Sequence, residues 1–81
     1  MIVEVFVSPK KGVLDPQGKA VASGLNSLGF SDVKDARVGK FIVLKIDASS
    51  KEEAETRVEE MCKKLLANTV IEDFSFSIKE T

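Results

Sequence analysis

The chain has 81 residues, of which 43% are hydrophobic and 31% charged, and it carries a formal net charge of −1. This length makes one domain, 1–81, of globular rather than disordered composition. A charge so near zero supplies no basic field for nucleic acid. The five Phe, with no Trp or Tyr, are not interleaved with arginine and make no platform for stacking bases.

Histidine is absent, which removes the usual general base, the Ser-His and Cys-His nucleophile pairs and the commonest metal ligand. The single cysteine, Cys62, can form neither an internal disulfide nor a Cys-rich zinc site. A self-contained enzyme is therefore not expected, and no cofactor is expected on this chain. No apolar run approaches the ~20 residues that span a bilayer. The chain opens straight into Ile2-Val3-Glu4-Val5 with no signal-peptide pattern, so a cytoplasmic location and no membrane partner are expected. A domain this small buries only ~60% of its unfolded surface, and oligomerisation is a common remedy.

Residues 2–8 alternate as a strand, with Val3, Val5 and Val7 on one face and Ile2, Glu4 and Phe6 on the other. Ser8 to Leu14 connects it to a helix over Pro16–Leu28 that stops at Gly29. Asp15 is a favoured N-cap and Pro16 a favoured first helical residue. Lys10 and Lys11 stand just upstream of the positive end of the helix dipole. The loop Gly12-Val13-Leu14-Asp15-Pro16-Gln17-Gly18 is thus either an anion cradle or a solvated loop neutralised by Asp15. The apolar stripe of this helix is Val21, Leu25 and Leu28. Gly18 and Gly24 each cost ~1 kcal/mol against alanine in a helix. They mark either a close approach of the helix to a sheet or, at Gly18, backbone left open to a partner.

Asp32 to Asp47 reads as a hairpin turning at Val38-Gly39-Lys40, its second strand at 41–46. A three-residue turn with a glycine bulge places Ala36 and Val38 on the face of Ile42 and Leu44, and is preferred over a two-residue turn that places Asp35 and Arg37 there. Arg37-Val38-Gly39-Lys40 lacks the preceding glycine loop and following Ser/Thr of a phosphate-binding loop. It is a tip with two cations, meeting an acidic partner, a phosphate or plain solvent.

Ser50-Lys51-Glu52-Glu53 fits a capping box opening a second helix. Ala54, Val58, Met61, Cys62, Leu65 and Leu66 form its apolar face, with Glu59–Lys63 and Glu60–Lys64 as i,i+4 pairs. Cys62 on that face reads as an inert core thiol. The glutamates Glu52, Glu53, Glu55, Glu59 and Glu60 read as a solvated face rather than acid–base machinery. Asn68 is a candidate left-handed stop. The last strand, Val70 to Lys79, turns Phe74, Phe76 and Ile78 inward.

The order βαββαβ predicts an α+β ferredoxin-like sandwich, an antiparallel sheet of four strands with two helices on one face. The opposite face keeps Ile2, Phe6, Phe41 and Val43. That cluster is either an interface with another copy of the chain, a homodimer or higher homo-oligomer, or a set of scattered exposed apolar residues.

Three stretches carry a resemblance along essentially the whole chain. Gly12-Val13-Leu14-Asp15-Pro16-Gln17-Gly18, Arg37-Val38-Gly39-Lys40 and Met61-Cys62-Lys63-Lys64-Leu65-Leu66-Ala67-Asn68, followed by Val70-Ile71-Glu72, resemble the PurS family. Thr69 stands where that family's pattern usually has proline. The resemblance implies a non-catalytic subunit of phosphoribosylformylglycinamidine synthase, bridging a glutaminase, PurQ, and a synthetase, PurL, that uses ATP and magnesium. It also implies support of ammonia transfer between them. Carried over by position, Gly12, Leu14, Asp15, Gln17, Gly18, Arg37, Gly39, Lys40 and Asn68 are the expected partner or subunit contacts. The alternative from another class is a regulatory module of the ACT or PII kind, which shares the βαββαβ plan and binds a small effector between subunits.

Overall fold

The alternating β-branched residues Val3, Val5 and Val7 place three interlocking side chains on one face of the first strand, β1 (Ile2–Pro9), and all three are buried. The computed structural model describes residues 1–80. In it β1 is the middle of a three-stranded antiparallel sheet, flanked by β2 (Lys40–Lys45) and β3 (Glu72–Lys79). Register follows the apolar pattern: Val3 lies opposite Leu44 and Ile78, and Val5 opposite Ile42 and Phe76. These inward residues form one core with α2 (Lys51–Met61), which contributes Ala54 and Val58, and with Cys62 and Ala67 beyond it.

The cap of α2 departs from the expected box. Ser50 Oγ accepts from the Glu53 N–H at 3.1 Å, but the Glu53 carboxylate takes the N–H and hydroxyl of Ser49 instead of the N–H of Ser50. Both expected i,i+4 pairs form, Glu60–Lys64 at 2.6 Å and Glu59–Lys63 at 3.9 Å. The last turn, Cys62–Leu66, widens to a π-helix closed by Ala67 N–H to Cys62 O at 2.9 Å. That widening turns Leu65 away from the core, where it is 82% exposed. The apolar face of the second helix is therefore broken at Leu65. Asn68 does not adopt the expected left-handed conformation, since only Gly12 and Gly29 have positive φ among the described residues. Asn68 Oδ1 instead accepts from the Val70 N–H, and its carbonyl accepts from Ile71 and Glu72, a turn that delays β3 to Glu72.

The first helix, α1 (Pro16–Ser27), begins and ends as its sequence dictates, with Asp15 at the N-cap and Gly29, at φ +100°, just past the end. Its placement is different. Residues 33–39, expected to form the first strand of a hairpin, belong to no ladder. They return alongside α1: Asn26 Nδ2 donates to Val33 O, and Gly18 abuts Ala36. The hairpin of 32–47 is absent and the expected fourth strand is a return segment. Val33, Ala36 and Val38 are half-buried while Asp35 and Arg37 are exposed. The α+β ferredoxin-like plan stands; the position of the second β segment in the βαββαβ order is taken by the return segment, outside the sheet.

α1 and the return segment therefore form an arm, residues 12–39. Its apolar stripe does not cover the sheet: Val21 and Leu28 are exposed and only Leu25 is half-buried. The molecule measures 51 × 28 × 14 Å with a radius of gyration of 16.1 Å, against ~12 Å for a compact chain of this length.

Stability accordingly resides in the sheet and α2. Val5→Ala should lower unfolding free energy by about 2 kcal/mol, the lost methyl groups plus part of a cavity. Val21→Ala should change it by less than about 0.5 kcal/mol in a lone chain. Urea denaturation followed by circular dichroism checks both.

Candidate functional site

The residues singled out in the sequence converge on one end of the sheet, where the arm leaves it. Asp15 is the centre. Its Oδ1 accepts the Gly18 N–H at 2.9 Å and its Oδ2 accepts the Val38 N–H at 2.9 Å, so one carboxylate caps α1 and fastens the return segment to it. Those two bonds, with a smaller contribution from the Arg37 charge, hold the Asp15 carboxyl below its ordinary value of 3.8. The contact also explains Gly18. A side chain there would run into the Ala36 carbonyl and Asp15 Oδ2, so the close approach is to the return segment, not to the sheet. Gly24 has open space around it and makes no close approach.

Arg37 spans from the return segment to the loop after β1. Its guanidinium donates to Pro9 O at 3.2 Å and Lys10 O at 2.7 Å. Gly39 sits where any side chain would meet the Val7 carbonyl. Lys40 Nζ donates to Leu66 O at 3.1 Å, satisfying a carbonyl at the end of the π turn. Asn68 joins the same end of the sheet through its turn: Lys10 N–H donates to Ile71 O, and Ile71 N–H to Asn68 O. Gly12, Leu14 and Gln17 lie on the outside of this network and are exposed. A shallow notch of about 170 Å³ lies among Leu14, Asp15, Lys19, Ala36 and Arg37.

This arrangement answers the anion question at the helix start. The donor that would meet a phosphate is already given to Asp15, and Arg37 is turned to backbone carbonyls. The cations at 37 and 40 are thus clamps between segments, though both remain exposed on their outer sides. Cys62 is fully buried, and burial, then the charge of Glu59, push its thiol pKa up, which makes it unreactive.

Two apolar surfaces remain open. On the uncovered sheet face Phe6 lies directly opposite Phe41, ring centroids 4.9 Å apart, with Val43 and Ile2 along the same half of the sheet. The other half of that face is Ser75, Ser77 and Lys79, whose Nζ lies 3.0 Å from Glu4. The second surface was not legible in the sequence. It is a groove of about 460 Å³ beside α2, between Leu44 on β2 and Met61, Leu65 and Leu66. Its one signal was an apolar stripe on α2 wider than a single sheet face requires.

The family profile described as "PurS: Phosphoribosylformylglycinamidine (FGAM) synthase" matches residues 2–80. The phosphoribosylformylglycinamidine synthase subunit PurS of Bacillus subtilis is 49% identical over 78 residues, covering 96% of this chain and 92% of that protein. The subunit of the same name from Archaeoglobus fulgidus is 45% identical over 80 residues, covering 99% and 100%. Among solved structures, B. subtilis PurS superposes with a TM-score of 0.89 at 48% identity, covering 98% of both chains. That coverage takes in the arm. A chain in the structure of PurLQS from Thermotoga maritima matches with a TM-score of 0.82 at 30% identity, covering 95% of this chain and 96% of that one.

Asp15 makes the arm pH-sensitive. Its folded pKa is depressed, so its contribution to stability is complete above the ordinary aspartate value and is lost as pH falls through the lowered folded value. The protection of the Gly18 and Val38 amides, taken relative to their intrinsic exchange rate at each pH, should hold from neutral pH to about 5 and fall below the ordinary aspartate range. Asp15→Ala should lower that protection at neutral pH, with the difference from the unsubstituted chain vanishing below the aspartate range, while leaving the amides of β1 protected. Equal loss of protection in β1 would show that the carboxylate holds more than the arm.

Proposed function

Because the chain belongs to the PurS family, the non-catalytic small subunit of phosphoribosylformylglycinamidine synthase in purine biosynthesis, we propose that it works by holding the glutaminase and the synthetase of that enzyme together. The glutaminase PurQ supplies ammonia and the synthetase PurL consumes it with ATP and magnesium. Ammonia released into bulk water diffuses away and is protonated. A bridge between the two enzymes raises the effective concentration of one beside the other and excludes water from the junction. The chain works in the cytoplasm with these partners.

The observation that carries this reading is where the chain leaves its apolar surface. Phe6, Phe41 and Val43 are each about half exposed, on a face that no element of the same chain covers. A cluster of this kind on a small domain supports burial against another protein. We assign it to a second copy, giving a homodimer or higher homo-oligomer. The exposed outer sides of Gly12, Leu14, Gln17, Arg37, Lys40 and Asn68 are then left for the two enzymes. Asp15, Gly18 and Gly39 act beneath them by fixing the shape of that surface. Family membership favours this reading over an effector-binding module.

Size exclusion with light scattering tests the proposal. The chain alone should run as a homo-oligomer, and Phe41→Asp should shift it towards monomer with unchanged far-ultraviolet dichroism. With glutaminase, synthetase, ATP, magnesium and glutamine present, it should co-elute with both enzymes. Arg37→Glu and Lys40→Glu together should reduce that co-elution at least tenfold in the concentration required. Full co-elution after both substitutions would remove these residues from the contact surface, and a chain that co-elutes with neither enzyme would sink the bridging role.

A further inference from the structure

The loop after β1 and the loop before β3 form one knuckle at the end of the sheet. Val13 N–H donates to Lys10 O at 3.1 Å and closes the first turn, and Ile71 N–H donates to Asn68 O at 3.0 Å and closes the second. Lys10 N–H joins the two through Ile71 O at 2.9 Å. Asn68 Oδ1 and the Glu72 carboxylate fasten the second turn further, by accepting from Val70 N–H and Asn68 N–H. Turn tips ordinarily carry polar residues or glycine. Here Val70 is 80% and Ile71 44% exposed, and Leu14, just past the first turn, is 71% exposed.

The charges around these apolar side chains are sorted. The cations at this end are Lys10, Lys11, Lys19, Arg37 and Lys40, and the carboxylates are Asp15, Asp35 and Glu72. Each carboxylate is turned to backbone N–H groups of its own chain: Asp15 to Gly18 and Val38, Asp35 to Ala36, Glu72 to Asn68. Asp73 falls on the serine face of β3, and Lys63 and Lys64 are paired with Glu59 and Glu60. Lys10, Lys11 and Lys19 form no ion pair among the described residues, and Lys19 lines the notch beside Leu14 and Arg37. A chain of net charge −1 is thus locally positive here.

We propose that this knuckle docks into an acidic face of one of the two partner enzymes, with Leu14, Val70 and Ile71 as apolar anchors and Lys10, Lys11 and Lys19 as a charged rim. The inference rests on the bridging role proposed above and states the chemistry of one of its two contacts. An apolar centre inside a polar rim is the anatomy of a protein interface. A phosphate site is disfavoured, because the donor at the helix start is already given to Asp15. Turns held by their own hydrogen bonds lose little freedom on docking. The complement is an apolar recess bordered by Asp and Glu, since rim charges of opposite sign steer the encounter and fix its register.

Rim and anchors act on different rates, and that gives the test. Binding of the full chain to immobilised glutaminase, and to immobilised synthetase with ATP, magnesium and glutamine, is followed by surface plasmon resonance at low and moderate salt. Far-ultraviolet dichroism checks that each variant is folded. Lys10→Glu with Lys11→Glu should slow association with one enzyme about tenfold and flatten its dependence on salt. Val70→Ser, which changes no charge, should instead speed dissociation from the same enzyme about tenfold. Lys34→Glu with Lys51→Glu makes the same change of charge on the arm and at the start of α2, and should leave both rates within about twofold. Rates unchanged by the knuckle variants would overturn the proposal and leave the bridging role standing. An equal effect of the Lys34 and Lys51 variant would assign the change to net charge and also overturn it. Equal loss towards both enzymes would overturn the assignment to one. An unsubstituted chain that binds neither enzyme would overturn the bridging role, and this inference with it.

Discussion

A single carboxylate decides the shape of this molecule. Asp15 has two oxygens and spends one on the start of α1 and the other on the return segment at Val38. The two amides are 20 residues apart in the chain (Val38 less Gly18), so the bond pair closes the arm as a loop at its base. Gly18 is what lets α1 and the return segment touch, because a methyl group would strike the Ala36 carbonyl. Arg37 then anchors the closed loop to the end of β1. The arm is therefore a stiff lever on the sheet, even though its apolar stripe has no partner within the chain.

The elements were legible in the sequence because they are set by neighbours a few residues away. Asp15-Pro16, Gly29, Ser50 and the alternation of β1 and β3 act locally, and each produced the expected start, stop or face. The inward faces of β1, β2 and β3 were legible too, since shifting any strand by one residue would expose its apolar set. What was not legible was the arm. Residues 32–38 alternate well enough for a strand, but their backbone is claimed by Asp15 and by contact with α1, an interaction between side chain and distant backbone that periodicity does not encode. Leu65 failed for a related reason. Its spacing is that of a core residue on an α-helix, and the change to a π turn rotates it outward.

The site shows the same division. Asp15, Gly18, Arg37, Gly39, Lys40 and Asn68 were picked from stretches far apart in the chain, and the fold gathers them at one end of the sheet. Within the chain they do structural work of their own. Asp15, Gly18 and Gly39 shape the backbone, and Arg37 and Lys40 fasten segments by donating to carbonyls. A family motif in this chain thus marks the joint from which a surface is built as much as the surface itself. That suits the role proposed for this subunit, of holding two larger enzymes in a fixed geometry.

The central position of β1 has a consequence for how the chain is made. Its ladder partners include Lys45 and Lys79 opposite Ile2, so its most distant pairing closes a loop of nearly the whole sequence. As the chain leaves the ribosome, Val3, Val5 and Val7 emerge before both of their partner strands, β2 and β3, and wait for them. Local helices cannot shelter them in the interval, since α1 is held off the sheet. Pairing of β1 with β3 therefore waits on the closure of a long loop, the kind of non-local contact that makes folding slow.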